Sequence, residues 1–181
     1  MFFYKVLEFD HEQLITEQLL ALVQELNPEG VFTIRFDSNM IEQRVPLLHE
    51  QFQQMGLELD VFREFRSPPY GGAPIHKDGT AQYPKRLAIN WPLENCKDTR
   101  MIWWDVQGND PAWSSYENID PTFGHDVPFF SERDCKEIAS VEVLRPMLLN
   151  VEVHHSVENL TNKHRRMISF RFKNDPFHLL A

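Results

Sequence analysis

The stretch Leu149-Asn150-Val151-Glu152-Val153-His154-His155-Ser156-Val157-Glu158-Asn159 alternates in character residue by residue. Leu149, Val151, Val153, His155 and Val157 fall on one face of an extended chain, and Asn150, Glu152, His154, Ser156 and Glu158 on the other. The first face is apolar except at His155. This pattern turns His155 inward against a core and His154 outward to water. A lone inward histidine is ordinarily a hydrogen-bonded core residue, so His155 needs a partner before it carries chemistry.

The candidate partner is His76-Lys77-Asp78, at the end of Gly71-Gly72-Ala73-Pro74-Ile75. In a strand, residues i and i+2 share a face, so an imidazole and a carboxylate at this spacing converge on one ion. With 8 histidines and 27 acidic residues in the chain, about one His-x-Asp/Glu triplet arises by chance. An inward His155 facing it changes the reading. Two imidazoles and one carboxylate leave three metal positions open, the donor set of non-haem Fe(II) sites.

Around these residues the chain reads as mainly β with N-terminal helices. Asp10 is placed to cap a helix carrying Ile15, Leu19, Leu22 and Leu26, which ends near Asn27-Pro28-Glu29-Gly30. A second helix is expected from Pro46, with Leu48, Phe52 and Met55 on one face and Gly56 ending it. From Leu57 the texture changes to short strands between Pro, Gly, Asn and Asp, expected near 59–66, 73–78, 86–93, 100–106, 137–144, 146–151, 153–158 and 165–172. Helices followed by such strands indicate an antiparallel barrel or jelly roll with helices covering one sheet. We read one domain: a helical cover over 1–56, the barrel over 57–172 with an insertion at 107–134, and a tail over 173–181. The insertion holds Trp113, Tyr116, Phe123, Phe129 and Phe130, which suits an ordered lid or substrate wall.

The strand Arg165-Arg166-Met167-Ile168-Ser169-Phe170-Arg171-Phe172 also has two faces. If Ile168, Phe170 and Phe172 pack under the helices, Arg165 and Ser169 point into the barrel. A guanidinium there binds a carboxylate through two parallel hydrogen bonds. Arg166 takes that place if the strand is rotated by one residue.

His76-Lys77-Asp78, then His155-Ser156-Val157-Glu158-Asn159 with Arg165 ten positions after His155, resembles the 2-oxoglutarate- and Fe(II)-dependent oxygenases. The His-x-Val-x-Asn segment followed by Arg is similar to their aspartyl/asparaginyl β-hydroxylase and prolyl-hydroxylase-like branches. The resemblance covers roughly residues 57–172, with Arg86 to Leu93 similar to the third barrel strand. It implies a cupin-like double-stranded β-helix, iron held by His76, Asp78 and His155, and 2-oxoglutarate as cosubstrate. It further implies that Arg165 binds the distal carboxylate of 2-oxoglutarate and that Asn90 contacts the cosubstrate near the metal. The chain departs from many relatives in placing Met167, not Ser or Thr, two residues after the arginine. The substrate is expected between Ser67-Pro68-Pro69-Tyr70 and the aromatic insertion, with Trp103 and Trp104 as either walls or core.

Composition bounds the alternatives. A chain of 181 residues with 42% hydrophobic and 12% aromatic residues buries a sizeable core. No run approaches the roughly 18 apolar residues of a membrane span. The formal charge of −9 disfavours a nucleic-acid surface, which needs clustered Lys and Arg. Cys96 and Cys135 lack metal-ligand spacing and suit free thiols in a reducing, cytoplasmic compartment. Peptide and small-molecule substrates both remain open. Two further readings stand beside the oxygenase: a cupin-like metalloenzyme that does not use 2-oxoglutarate, and a non-catalytic metal- or ligand-binding scaffold.

Overall fold

The structure is a computed structural model and describes residues 2–78, 86–106, 130, 132 and 135–180. Its elements in chain order are β1 (Tyr4–Val6), α1 (Glu12–Leu26), β2 (Thr33–Asp37), α2 (Asn39–Arg44), α3 (Pro46–Gln54), β3 (Leu59–Ser67), β4 (Gly72–His76), β5 (Leu87–Glu94), β6 (Thr99–Asp105), β7 (Lys136–Val141), β8 (Met147–Asn150), β9 (His155–Asn159) and β10 (Arg165–Phe172). A short 3-10 turn, Phe177–Leu180, follows. The strands form two antiparallel sheets, a major one ordered β1-β8-β5-β10-β3-β2 and a minor one ordered β4-β9-β6-β7. From β3 onward the chain alternates between the sheets, except that β6 and β7 are neighbours in the minor one, so the two halves of the barrel interlock.

The helices cover one face of the major sheet. Ile15, Leu19, Leu22 and Val23 of α1 and Leu48 and Phe52 of α3 are buried against Phe62, Leu87, Ile89, Trp91, Leu148, Ile168, Phe170 and Phe172. Trp91 donates its indole N–H to Thr16 Oγ1 at 2.8 Å, which fixes β5 against α1. A second cluster fills the barrel itself: Ala88, Met101, Trp103, Met147, Leu149, Val151 and Met167. The central strands β5, β8 and β10 therefore serve two cores by alternation, as the Ile168, Phe170 and Phe172 pattern indicated.

Several expectations need adjustment. The stretch before Leu57 also supplies two strands, β1 and β2, which extend the major sheet at opposite edges, and the short helix α2. Three-residue β1 is too short to carry a readable period. Asp10 does not cap α1. The N-cap is His11, in a left-handed conformation (φ 57°) with no side-chain cap bond. Asp10 is instead clamped by Gln51, whose side chain accepts from its N–H at 2.8 Å and donates to its carbonyl at 2.9 Å. Gly56 does end α3, at φ 69°.

The 149–158 alternation does not run along one strand. β8 belongs to the major sheet and β9 to the minor, and the chain turns a corner over 151–154 between them. Each strand keeps its own phase, and His155 still ends up buried while His154 is only partly so. Trp103 and Trp104 are both core. Trp103 fills the barrel behind His155, and Trp104 packs on the opposite face with Ile75 and Ile102. Most of the 107–134 insertion lies outside the described residues. Its Phe130 bridges Ile75 and packs edge-on against the His154 ring.

Candidate metal and cosubstrate site

β4 and β9 are paired so that His76 stands opposite His155. A register irregularity between Ala73 and His76 accommodates Pro74, which has no N–H to give the ladder. The freed Pro74 carbonyl accepts from His76 Nδ1 at 2.7 Å, and the Val153 carbonyl accepts from His155 Nδ1 at 2.9 Å. A carbonyl only accepts, so both protons sit on Nδ1 and both Nε2 lone pairs are left to face the barrel.

Asp78 is not in the strand that the sequence pattern assigned to it, because β4 ends at His76. The Asp78 N–H instead donates to the Val151 carbonyl at 3.0 Å, and the corner after β8 thereby fixes the loop. The outcome is convergence. Asp78 Oδ1 lies 3.4 Å from His76 Nε2 and 3.9 Å from His155 Nε2, and one donor atom from each residue lies within 4.8 Å of the others. The imidazole rings are 4.5 Å apart at 49°, splayed toward a common point rather than stacked.

The other carboxylate oxygen, Oδ2, is held by Arg171 Nη2, a residue the sequence reading passed over. Arg171 Nη1 also donates to Ser169 Oγ, which donates to Asn90 Oδ1. Its position two residues beyond Ser169, on the face of Arg165, was the available signal. Burial opposes ionisation of Asp78, but the Arg171 charge together with His76 and His155 outweighs it and holds the carboxyl well below the usual range. Burial likewise opposes protonation of His76, yet its bond to Asp78 and that carboxylate's charge raise its pKa above the ordinary histidine value. His155 is pushed down to about 4 by burial and by the His76 charge beside it. The pair therefore takes one proton readily and resists a second.

Arg165 faces into the barrel and is 3% exposed. Its Nη2 donates to Met167 Sδ at 2.8 Å, Cys96 lies beside it, and its Nε is buried with no partner. Burial lowers its pKa, but a guanidinium remains charged. A buried cation with soft sulfur neighbours and an orphaned donor fits an incoming carboxylate. Arg166 lies on the opposite, helix-covered face and is bonded to Glu64 at 2.7 Å and Glu94 at 3.2 Å, so it is not the barrel arginine. Asn159 clasps the β9–β10 connection: its amide donates to Pro68 O at 2.8 Å and Lys163 O at 2.7 Å.

Two interlocked sheets around a His-Asp-His cluster make this chain a double-stranded β-helix of the kind found in 2-oxoglutarate- and iron-dependent oxygenases. Among solved structures it is similar to HygX from Streptomyces hygroscopicus with nickel and 2-oxoglutarate bound (TM-score 0.53, 12% identity, 93% of this chain and 81% of that one). It is also similar to the non-heme alpha ketoglutarate dependent carbocyclase SnoK from nogalamycin biosynthesis (0.53, 12%, 93% and 78%). A third likeness is to a Pseudomonas putida prolyl-4-hydroxylase (0.50, 12%, 93% and 91%). No protein-family model matches the chain, and neither does any curated protein sequence. Among the described residues, no helix is long and apolar enough to cross a membrane.

Proposed function

We propose that this chain is a 2-oxoglutarate- and Fe(II)-dependent dioxygenase that hydroxylates a C–H bond of a peptide or small-molecule substrate. The observation that carries this reading is the convergence of His76, Asp78 and His155 on one point of the barrel, with the buried, incompletely bonded Arg165 on the adjoining sheet. The solved structures of like fold with 2-oxoglutarate or iron bound support it.

When bound, iron and 2-oxoglutarate supply dioxygen activation and the oxidising power. The chain's own residues do the rest. His76 Nε2, His155 Nε2 and Asp78 Oδ1 would hold the metal. Arg165 would hold the distal carboxylate, and Asn90, with its carbonyl oxygen taken by Ser169, would offer its amide to the cosubstrate. Arg171 keeps Asp78 ionised and oriented at Oδ2. The apolar barrel lining of Ala88, Met101, Leu149 and Met167 excludes water from the cosubstrate end. The Ser67–Tyr70 loop would form one wall for the substrate. Thiols at Cys96 and Cys135 would fit a reducing compartment such as the cytoplasm.

Anaerobic titration with Fe(II) and 2-oxoglutarate is expected to give a weak visible charge-transfer band. His76→Ala should abolish iron binding, while Arg165→Ala should spare iron and weaken 2-oxoglutarate roughly tenfold to a hundredfold, the loss of a charge-assisted contact. Unchanged 2-oxoglutarate affinity in Arg165→Ala would overturn that assignment. A bound metal without the band would favour the cupin-like enzyme. Mass spectrometry of a lysate given protein, iron and 2-oxoglutarate should reveal a species heavier by one oxygen.

A further inference from the structure

Strand β10 carries three buried arginines, and their partners differ. Arg166 is matched by Glu64 and Glu94, and Arg171 by Asp78. Among the described residues, Arg165 meets sulfur instead of a carboxylate. Its Nη2 donates to Met167 Sδ at 2.8 Å, and the Cys96 side chain lies beside it. The Cys96 Sγ–H is directed away, at the Glu94 and Arg166 carbonyls 3.4 and 3.3 Å off. Arg165 Nε has no partner.

Met167 lies two residues beyond Arg165 on the same face of β10. Ser169 and Arg171 continue that face, and Arg171 reaches Asp78. An acid that comes to Arg165 from the metal side therefore passes over Met167. Phe65 and Pro92, opposite Met167 on the neighbouring strands, offer its sulfur no polar side chain. A thioether is a weak acceptor, so a guanidinium leaves it at little cost, whereas a carboxylate partner would hold on. Methionine is also unbranched, with three rotatable bonds, and Met101 and Met147 of the same cluster are as deformable. The sulfur can swing aside without a backbone shift.

We propose that Met167 is a placeholder for the distal carboxylate of the cosubstrate: it holds Arg165 in the empty barrel and releases it when the acid arrives. The inference rests on the oxygenase reading and deepens it. Whatever the Met167–Arg165 contact contributes to the empty pocket is lost on binding and opposes it. Affinity for the acid should therefore run opposite to the acceptor strength of the side chain at position 167. A Met167 that merely fills space would behave differently, since every substitution that disturbs its packing would weaken binding.

The test is anaerobic titration of 2-oxoglutarate into the Fe(II) protein, followed by the charge-transfer band and by calorimetry. Met167→Leu keeps the volume and removes the acceptor, and should tighten binding about fivefold, the net contribution of one hydrogen bond. Met167→Ile, which also lacks an acceptor and suits a strand, should tighten it in the same way. Met167→Gln puts a carbonyl at similar reach and should weaken binding by a like factor. Fe(II) affinity should stay unchanged in all three, because Met167 is not among the metal donors, and that measurement shows the barrel to be intact. The proposal is overturned if Met167→Leu or Met167→Ile, with Fe(II) affinity intact, binds 2-oxoglutarate no tighter than the unsubstituted protein. Absence of both the band and 2-oxoglutarate binding in the unsubstituted protein would instead overturn the oxygenase reading. Acetate titrated into the metal-free series then decides the placeholder: the same order of affinities supports it, and any other order, or no saturable binding, overturns it.

Discussion

Asp78 has two oxygens with different partners, and the difference sets what substitutions around it should do. Oδ1 faces the two imidazoles and Oδ2 is bound by Arg171. Replacing Arg171 by Met leaves a buried carboxylate unmatched, at a cost of about 3 kcal/mol in the metal-free protein. A bound dication would neutralise that carboxylate, so Fe(II) should raise Tm more in Arg171→Met than in the unsubstituted protein. Equal metal-induced shifts in a thermal-melt comparison would show that Arg171 does not act through Asp78. The histidines give a pH prediction. Metal binding needs neutral imidazoles, and His76 has a raised pKa while His155 is pushed down to about 4. As pH falls through the ordinary histidine range while staying above about 4, His76 protonates and His155 does not, so metal affinity should fall with a limiting slope of one proton. A slope of two in a pH series of metal titrations would contradict this.

The element that sets the geometry of the candidate metal site is the β4–β9 pair, because it puts His76 opposite His155. Gly72 permits that pairing. A Cβ built there would lie 1.7 Å from the Val157 carbonyl oxygen and 2.8 Å from its carbon, both backbone atoms that cannot swing away. Gly72→Ala should push β4 off β9, lowering stability and weakening metal binding at least roughly tenfold, as expected when a site built on strands loses its spacing. Metal titration of that variant, with a circular-dichroism melt, checks both. At this scale the sequence was only partly legible. Strand β10 read correctly over its whole length because its two faces bury different chemistry. Strand β4 did not, because its last residues are fixed by Pro74 and by the Val151 corner rather than by alternation. Arg171 was missed although it lies on the face of Arg165, since nothing local says that a loop carboxylate 93 positions away in sequence meets it.

Across the whole molecule, the major sheet divides two cores, and the helix-covered side has its own buried polar network. Glu64 is fully buried, accepting from Arg166 at 2.7 Å and from Asn27 at 2.8 Å. Asn27 is the residue at the end of α1, so the network ties that helix to β3 and β10. Glu64→Leu removes the buried acceptor shared by Arg166 Nε and the Asn27 amide, leaving Arg166 with Glu94 alone, and should cost about 3 kcal/mol of unfolding free energy. Metal affinity should hardly move, because this network lies on the other face from Asp78. Denaturant melts and metal titration of one variant separate the two effects, and a large loss of metal affinity would show that the two faces are coupled. The sequence by itself determined which residues alternate, where helices yield to strands, and that His155, His76-Lys77-Asp78 and Arg165 are the candidates for a metal and cosubstrate site, because period-2 burial is a local property of the chain. Only the tertiary structure decided that Arg166 turns away to Glu64 and that Arg171 holds Asp78. Those outcomes depend on strand register and on corners between sheets, which are fixed by contacts far apart in the chain.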